Sequence, residues 1–302
     1  MIIVKLIGGV GNQMFQYAFG LQVAAAYQEE ICFDTDFYPK GKPLALYMLS
    51  VPQYPVWTEV GIKKVERVYI RLMEKIFHVL QKVIRILGRT DRTGNLLYGR
   101  FAKHGMLFNF DPYYYEIDCC EKKNKYIYGY FQGTQYFSGC EEQLKQVFRV
   151  SVPLGRQAQD ISSQIEKTNA VALHIRLGDY TNAANTDLNV CSDVYYRNAI
   201  AYICEAVPDP VFFVFTNDTR TVAEKFTFPE KTVLVEGTKD YEDFALMQKC
   251  KHFVASNSTF SWWASFLSEH PGKIVTVPDR WRHSEKEEPA IYTDYMVKIP
   301  IE

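Results

Sequence analysis

The spacing of apolar and polar positions changes along the chain. In the second half, short apolar runs occur at Val171–Ile175, Val211–Thr216, Thr232–Val235, His252–Ala255 and Lys273–Val277. Helical patterns separate them, at Val194–Ala206, Thr221–Phe226, Tyr241–Cys250 and Phe260–His270. Strands alternating with helices over short connections predict a parallel, doubly wound sheet. The runs are almost continuously apolar, so helices should cover both faces of that sheet.

The first half opens in the same way. Ile2–Ile7 reads as a strand and Gly8-Gly9-Val10-Gly11 as a tight turn. Gln13–Tyr27 reads as a helix with Met14, Tyr17, Ala18, Leu21, Ala24 and Ala25 on one face. Glu30–Asp34 is a second strand, and the alternation of Tyr126, Tyr128 and Tyr130 predicts another near the end of this half. Each half starts with its own βα unit, so the α/β chain divides near Arg149–Gly155, into domains 1–152 and 153–302. A length of 302 residues fits two domains. No internal repeat is present.

Segment 62–89 has a different character. Lys63, Lys64, Arg67, Arg71, Lys75, Lys82, Arg85 and Arg89 face only Glu66 and Glu74. Its apolar residues Ile62, Val65, Tyr69, Leu72, Ile76, Leu80, Val83 and Leu87 form a helical stripe. Such a segment either packs on the N-terminal domain with a solvated basic face or makes a peripheral contact with an anionic membrane.

Charge and cysteine content narrow the function classes. The 34 basic and 35 acidic residues nearly cancel, so no global field draws the chain to nucleic acid. Seven cysteines, an odd number with no Cys-x-x-Cys pair, exclude a zinc ribbon, a thioredoxin-type site and a disulfide framework. The opening MIIVKLIGG lacks a basic leader region, and no uncharged run reaches the roughly 18 residues of a membrane span. A reducing, cytoplasmic setting is expected, with membrane association only through 62–89. The Asn217-Asp218-Thr219 and Asn257-Ser258-Thr259 acceptor patterns for glycosylation are then coincidental.

Candidate chemistry collects where strands end. The turn with Gly9 and Gly11, followed by Asn12 and Gln13, opens a helix whose free N–H groups favour an anion. It fails the dinucleotide fingerprint, because Met14 stands where a third small residue is required, and no Gly-Lys-Ser/Thr follows. The run His174-Ile175-Arg176-Leu177-Gly178-Asp179-Tyr180 leaves a buried-type strand, with His174 and Arg176 on one side. Arginine suits bidentate pairing with phosphate oxygens, and α/β sheets place ligands at such strand ends. Arg176 and Asp179 could instead form an internal ion pair. Asn217 and Asp218 end another strand, to bind a ligand or cap the next helix. Asn257, Ser258, Thr259 and Phe260 end a third and open a helix, again as an anion site or an ordinary cap. Three polar strand ends along one edge are better explained jointly by a ligand cleft. Asp34-Thr35-Asp36 has the form of a metal-holding doublet, but no ligand cluster accompanies it, so no metal is expected. No Gly-x-Ser-x-Gly elbow is present.

Taken together, IGGVGNQMFQYAFG (Ile7–Gly20), GYFQGTQYF (Gly129–Phe137), VALHIRLGDY (Val171–Tyr180), FFVFTND (Phe212–Asp218), DFALMQKCKHFVASNSTFSWWASFL (Asp243–Leu267) and VPDRW (Val277–Trp281) give the chain its family likeness. It resembles the bacterial α-1,2-fucosyltransferases of glycosyltransferase family 11. The resemblance implies a GT-B-like architecture of two Rossmann-like domains with parallel sheets facing across a cleft. It implies GDP-L-fucose as donor, inversion at the fucose anomeric carbon, a galactose-terminated glycan acceptor attacked through its 2-hydroxyl, and no metal. It assigns the acceptor to the N-terminal domain and GDP-fucose to the C-terminal one. Carried over by position, Arg176 holds the GDP phosphates, and His174 and Asp179 occupy fixed positions of the His-x-Arg-Arg-Gly-Asp motif. The second arginine position of that motif holds Leu177 here. Asn12 faces the phosphates from the glycine loop. Asn217 and Asp218 match the second motif, and Ser258, Thr259 and Phe260 the third.

Without a metal, cationic and N–H donors must meet the leaving charge, and Arg176, Asn12 and the Ser258–Thr259 helix start are the candidates. Asp179 and His174 are the titratable candidates for a general base, unless Asp179 holds Arg176 in position. Aromatic content is 15%, and rings at Tyr113–Tyr115 or Tyr126–Phe131 either stack on sugar or fill the core. Two other functions fit the same fold: a transferase for another GDP-sugar, and a non-catalytic nucleotide-sugar or glycan-binding protein.

Overall fold

Side chains from two separate stretches of the chain build each of two units. The computed structural model describes residues 1–86, 91–116, 124–177 and 183–302, without the side chains of 85, 91–96 and 183–185. The first unit comprises Met1–Tyr47 and Val51–Val147, the second Met48–Ser50 and Phe148–Glu302.

In the first unit the chain runs β1 (Ile2–Lys5), α1 (Val10–Tyr27), β2 (Ile31–Asp34), α2 (Lys64–Ile86), α3 (Asp91–Ala102), β3 (Met106–Asn109), β4 (Lys125–Gly129) and α4 (Glu141–Val147). The sheet order is β2-β1-β4-β3, with every pairing parallel. Residues Ile3, Tyr126, Phe108, Phe77 and Trp57 share one buried cluster on this sheet. At the end of β4 a side chain is impossible: a Cβ on Gly129 would sit 1.9 Å from the carbonyl oxygen of Asn109. Glycine therefore lets β3 and β4 end side by side.

The orientation of α2 departs from the sequence expectation. Its core-facing residues are Ile70 and Phe77, both essentially inaccessible, with Tyr69, Met73 and Ile84 packed beside them. Val65, Leu72, Ile76 and Val83, read above as the main stripe, are exposed. The helix has two apolar stripes, and the one bearing Phe77 and Tyr69 packs on the sheet, where its aromatic surface is removed from water.

The second unit runs α5 (Arg156–Glu166), β5 (Asn169–Ile175), α6 (Asp193–Ala206), β6 (Pro210–Thr216), α7 (Thr219–Lys225), β7 (Thr232–Leu234), α8 (Asp240–Lys249), β8 (His252–Val254), α9 (Thr259–Leu267), β9 (Val275–Pro278) and β10 (Met296–Ile299). The order β10-β9-β8-β5-β6-β7 is entirely parallel. From β5 the chain winds outward through β6 and β7, then returns to β8 on the other flank of β5. That reversal is a topological switch point, and sheets of this kind bind ligands outside the carboxyl ends of the two strands that flank it. Hydroxyl and carboxylate caps start three of the helices: Ser192 accepts from Tyr195 N, Asp218 from Thr221 N and Ser258 from Phe260 N.

Candidate functional site

Three adjacent strands of the second unit deliver polar residues to one edge. The registers Ile175↔Thr216 and Leu173↔Val254 bring the ends of β6, β5 and β8 level. His174 and Arg176 therefore lie beside Asn217 on one flank and Ser256 on the other. His174 Nδ1 lies 2.8 Å from the Ser256 hydroxyl, a bond across the switch point. The His174 ring packs 5.9 Å from that of Phe260, which in turn lies 5.2 Å from Phe244 of α8. Burial, reinforced by the charge of Arg176, pushes the His174 imidazole down to about 3. His174 is thus neutral near pH 7, and one of its two nitrogens is held by a buried hydroxyl.

The asparagines bond backbone at the strand ends. Asn217 Nδ2 donates to Leu177 O at 3.2 Å, and Leu177 N donates to Asn217 Oδ1 at 3.0 Å. This two-bond clamp fixes the residue after Arg176. Asn257 is buried and donates to Leu188 O at 2.7 Å and to Trp281 O at 3.0 Å, tying two loops to the start of α9. Asp218 acts as the α7 cap, and its bonds from Thr221 hold its carboxyl below the usual range. Ser258 caps α9; Thr259 and Phe260 are half-buried in its first turn. Asp179, with Gly178 and Tyr180, lies outside the described residues.

Two residues not singled out in the sequence belong to this neighbourhood. Ser256, fully buried, is the partner of His174. Asp243, in the first turn of α8, accepts from the Thr238 hydroxyl, and burial with the nearby Asp240 and Glu242 raises its carboxyl to about 6. Both lie within the DFALMQKCKHFVASNSTFSWW run, which marked the neighbourhood without marking these positions.

The glycine loop stands at the corresponding strand-end edge of the first unit. Gly8 takes φ +76°, and a Cβ there would meet Asn12 Nδ2 at 2.6 Å. Gly9 starts α1, and Gly11 is buried in its first turn. The Gln13 amide serves the loop itself: Nε2 donates to Tyr38 OH at 2.9 Å, and Oε1 accepts from Leu46 N at 3.1 Å. Asn12 Oδ1 accepts from Gln132 Nε2 at 3.0 Å, which joins the runs IGGVGNQMFQYAFG and GYFQGTQYF. Gln132 is a third polar residue that local sequence reading passed over. Of the ring candidates for sugar, Tyr126, Phe131 and Tyr115 are core residues, whereas Tyr114 is exposed.

The Asp34–Asp36 doublet meets a guanidinium. Arg71 Nη2 donates to Asp34 at 3.1 Å and to Asp36 at 2.5 Å, and Nη1 donates to Glu74 at 2.7 Å. Lys5 also binds Glu74, at 2.6 Å. The phenol of Tyr126 lies 2.5 Å from Asp34 and 2.6 Å from Glu74. Burial raises the Asp34 carboxyl, while for Glu74 the bonds from Lys5, Tyr126 and Arg71 overcome burial and lower it. One phenolic proton cannot serve both carboxyls at once, so the Arg71 guanidinium beside both and the Lys5 ammonium beside Glu74 complete the network. Among the described residues no group of three or more His, Cys, Asp or Glu side chains is arranged to hold a metal. Nor is any described helix long and apolar enough to cross a membrane. Cys32, Cys140, Cys191, Cys204 and Cys250 are free, and Cys119 and Cys120 lie outside the described residues.

The model of glycosyl transferase family 11 matches residues 109–297. The alpha-1,2-colitosyltransferase of Escherichia coli is 26% identical over 294 residues, covering 95% of this chain and 94% of its own. The O-antigen biosynthesis glycosyltransferase WbnK of Escherichia coli is 29% identical, covering 91% of this chain and 93% of its own. Among solved structures, the fucosyltransferase NodZ from Bradyrhizobium superposes with a TM-score of 0.50 at 13% identity, over 87% of this chain and 91% of its own. That likeness concerns the fold, and it agrees with the GT-B-like α/β class expected from the sequence.

Proposed function

From the premise that the chain belongs to glycosyl transferase family 11, we propose that it is an inverting α-1,2-fucosyltransferase that needs no metal. It moves L-fucose from GDP-L-fucose to the 2-hydroxyl of a terminal galactose on a glycan. The observation that carries this reading is the convergence of His174, Arg176 and the start of α9 at the switch point of the second unit. Arg176 and the α9 N–H groups, with Ser258 and Thr259, offer donors to a diphosphate. Asn12 of the first unit is assigned to the same phosphates by family resemblance.

In the reaction the acceptor oxygen bonds to fucose C1 as the bond from C1 to the diphosphate oxygen breaks. GDP leaves with the electron pair, and the acceptor proton must pass to a base. Donors fixed in advance around the departing oxygen stabilise that charge without reorganising. A neutral His174 with a value about 3 takes a proton poorly, so its part is to position Arg176 and the α9 loop. Asp179 is the carboxylate assigned to the acceptor proton. The N-terminal unit receives the acceptor.

A second reading has a specific observation behind it. The colitosyltransferase relative matches nearly the whole chain, and colitose is fucose without its 3-hydroxyl. The experiment that separates the two offers purified protein GDP-fucose or GDP-colitose with lactose and reads products by mass spectrometry. Fucosyl-lactose formed at the greater kcat/KM supports the first reading. Transfer from GDP-colitose alone supports the second, and tight GDP binding with no transfer to any galactoside supports a non-catalytic binder.

A further inference from the structure

Helix α2 carries a second apolar stripe that faces outward. Val65, Val68, Leu72, Ile76, Val79, Val83 and Ile86 recur at helical spacing, and all are exposed, up to 79% at Val65 and 74% at Ile86. At 1.5 Å per residue the stripe is about 30 Å long. An unbroken apolar row of that length on a folded surface marks an interaction site.

The charge beside the stripe identifies the partner. Lys64, Arg71, Lys75 and Lys82 are seven, four and seven positions apart, so they form one column along its edge. Lys64, Arg67, Arg71 and Lys75 also line a cavity of about 540 Å³, whose wall continues into the stripe through Val68 and Leu72. Asp36 is the acidic residue in that lining. Trp57 lines it too, and its indole N–H is buried without a hydrogen-bond partner. A concave cluster of cations with an unmet N–H donor is suited to a phosphate. A phosphate attached to acyl chains would also satisfy the adjoining stripe.

We propose that the α2 face docks on a bilayer containing anionic phospholipid. The stripe Val65–Ile86 enters the boundary between headgroups and acyl chains, and the cavity takes a lipid phosphate through Lys64, Arg67 and Lys75, Arg71 being held by Asp34, Asp36 and Glu74. An amphipathic helix lying in the plane of the interface has this division of apolar stripe and basic flank. The whole chain has a net charge of −1, so the attraction is local to this face and does not come from the protein's overall field. The inference is independent of which sugar is transferred.

The test is co-sedimentation of the full chain with vesicles of phosphatidylcholine alone or with one quarter phosphatidylglycerol. Binding to the anionic vesicles is expected, at least tenfold weaker on neutral vesicles or in about 0.5 M salt. The charge-reversed variant Lys64→Glu/Lys75→Glu/Lys82→Glu should lose binding, and Val68→Ser/Leu72→Ser/Ile76→Ser should weaken it at least tenfold. Both variants alter exposed positions and should keep the thermal midpoint and the turnover on a soluble galactoside. A loss of vesicle binding with turnover intact therefore separates this inference from the assigned reaction. No binding to anionic vesicles, or equal binding to both kinds, overturns it. So does a dimer in light scattering that depends on Val68, Leu72 and Ile76 without vesicle binding, which would make a second copy the partner.

Discussion

His174 Nδ1 and the Ser256 hydroxyl, 2.8 Å apart, join the strand that carries Arg176 to the loop that opens α9. His174 lies in β5, and Ser256 follows β8, the neighbouring strand across the point where the sheet reverses its winding. Arg176 and the α9 amides are the donors assigned to the leaving diphosphate. This buried bond adds to the β5–β8 pairing in holding the two strand ends together, and a site that must meet developing charge depends on such fixed placement.

Arg176→Ala should lower kcat/KM for the GDP-sugar by about 10²–10³-fold, the usual effect of removing one donor to a leaving charge. Circular dichroism and the thermal midpoint should stay near wild type, because Arg176 is half-buried at the end of β5. Wild-type-like turnover in the folded variant would remove Arg176 from the reaction.

His174 links stability to pH. Its folded value of about 3 lies below the ordinary 6.5, so the unfolded chain takes up the proton first. Its contribution is complete above about pH 6.5 and is lost as pH falls towards 3. Wild type should therefore lose up to about 1.4 kcal/mol per pH unit more than His174→Asn between pH 6 and pH 4. Parallel urea-unfolding curves for the two proteins over that range would contradict the buried, neutral assignment.

Asp243 works in the opposite sense. Its carboxyl is raised to about 6 from 3.8, so the folded state holds the proton more tightly. The associated stability is present below about pH 4 and is lost as pH rises through 6. Asp243→Asn keeps an oxygen for Thr238 and should stabilise the ligand-free protein by about 1–2 kcal/mol at pH 7.5, with no gain at pH 4. Thermal melts at the two pH values check it; an equal gain at both would show that the charge is not the cause.

Tyr126→Phe removes the hydroxyl between Asp34 and Glu74 and leaves the two carboxyls facing each other around Arg71. Unfolding free energy should drop by about 2–4 kcal/mol, as expected for breaking a buried charged network. A change under 0.5 kcal/mol in urea titration would mean that Arg71 and Lys5 suffice.

The strands flanking the site were legible because their residues are nearly all apolar: β5, β6 and β8 stand where the runs at Val171, Val211 and His252 place them. Of the edge strands, β2 and β7 were legible in the same way, and β3 and β10 were not. β3 (MLFN) and β10 (MVKI) are four residues long, and β10 carries an exposed lysine, too little pattern for a periodicity to show. The orientation of α2 was illegible for another reason. Both of its stripes are apolar, and the inward one is selected by tertiary packing, with Phe77 seated against Phe101 and Phe108. Within the site, the residue types at the strand ends were readable but not their partners. Asn12 meets Gln132 across 120 positions, and Asn217 turns back to the Leu177 backbone. Such bonds depend on which strands become neighbours, and that is a property of the sheet order.

The central claim is transfer of fucose to the 2-hydroxyl of galactose, and nuclear magnetic resonance of the product tests it most directly. Purified protein is incubated with GDP-L-fucose and a β-galactoside, with and without EDTA, and the new glycosidic bond is assigned. The account expects an α-linked fucose on O2 of the terminal galactose, inverted from the donor and formed equally in EDTA. Fucose on any other hydroxyl, retained anomeric configuration, or transfer abolished by EDTA would contradict it.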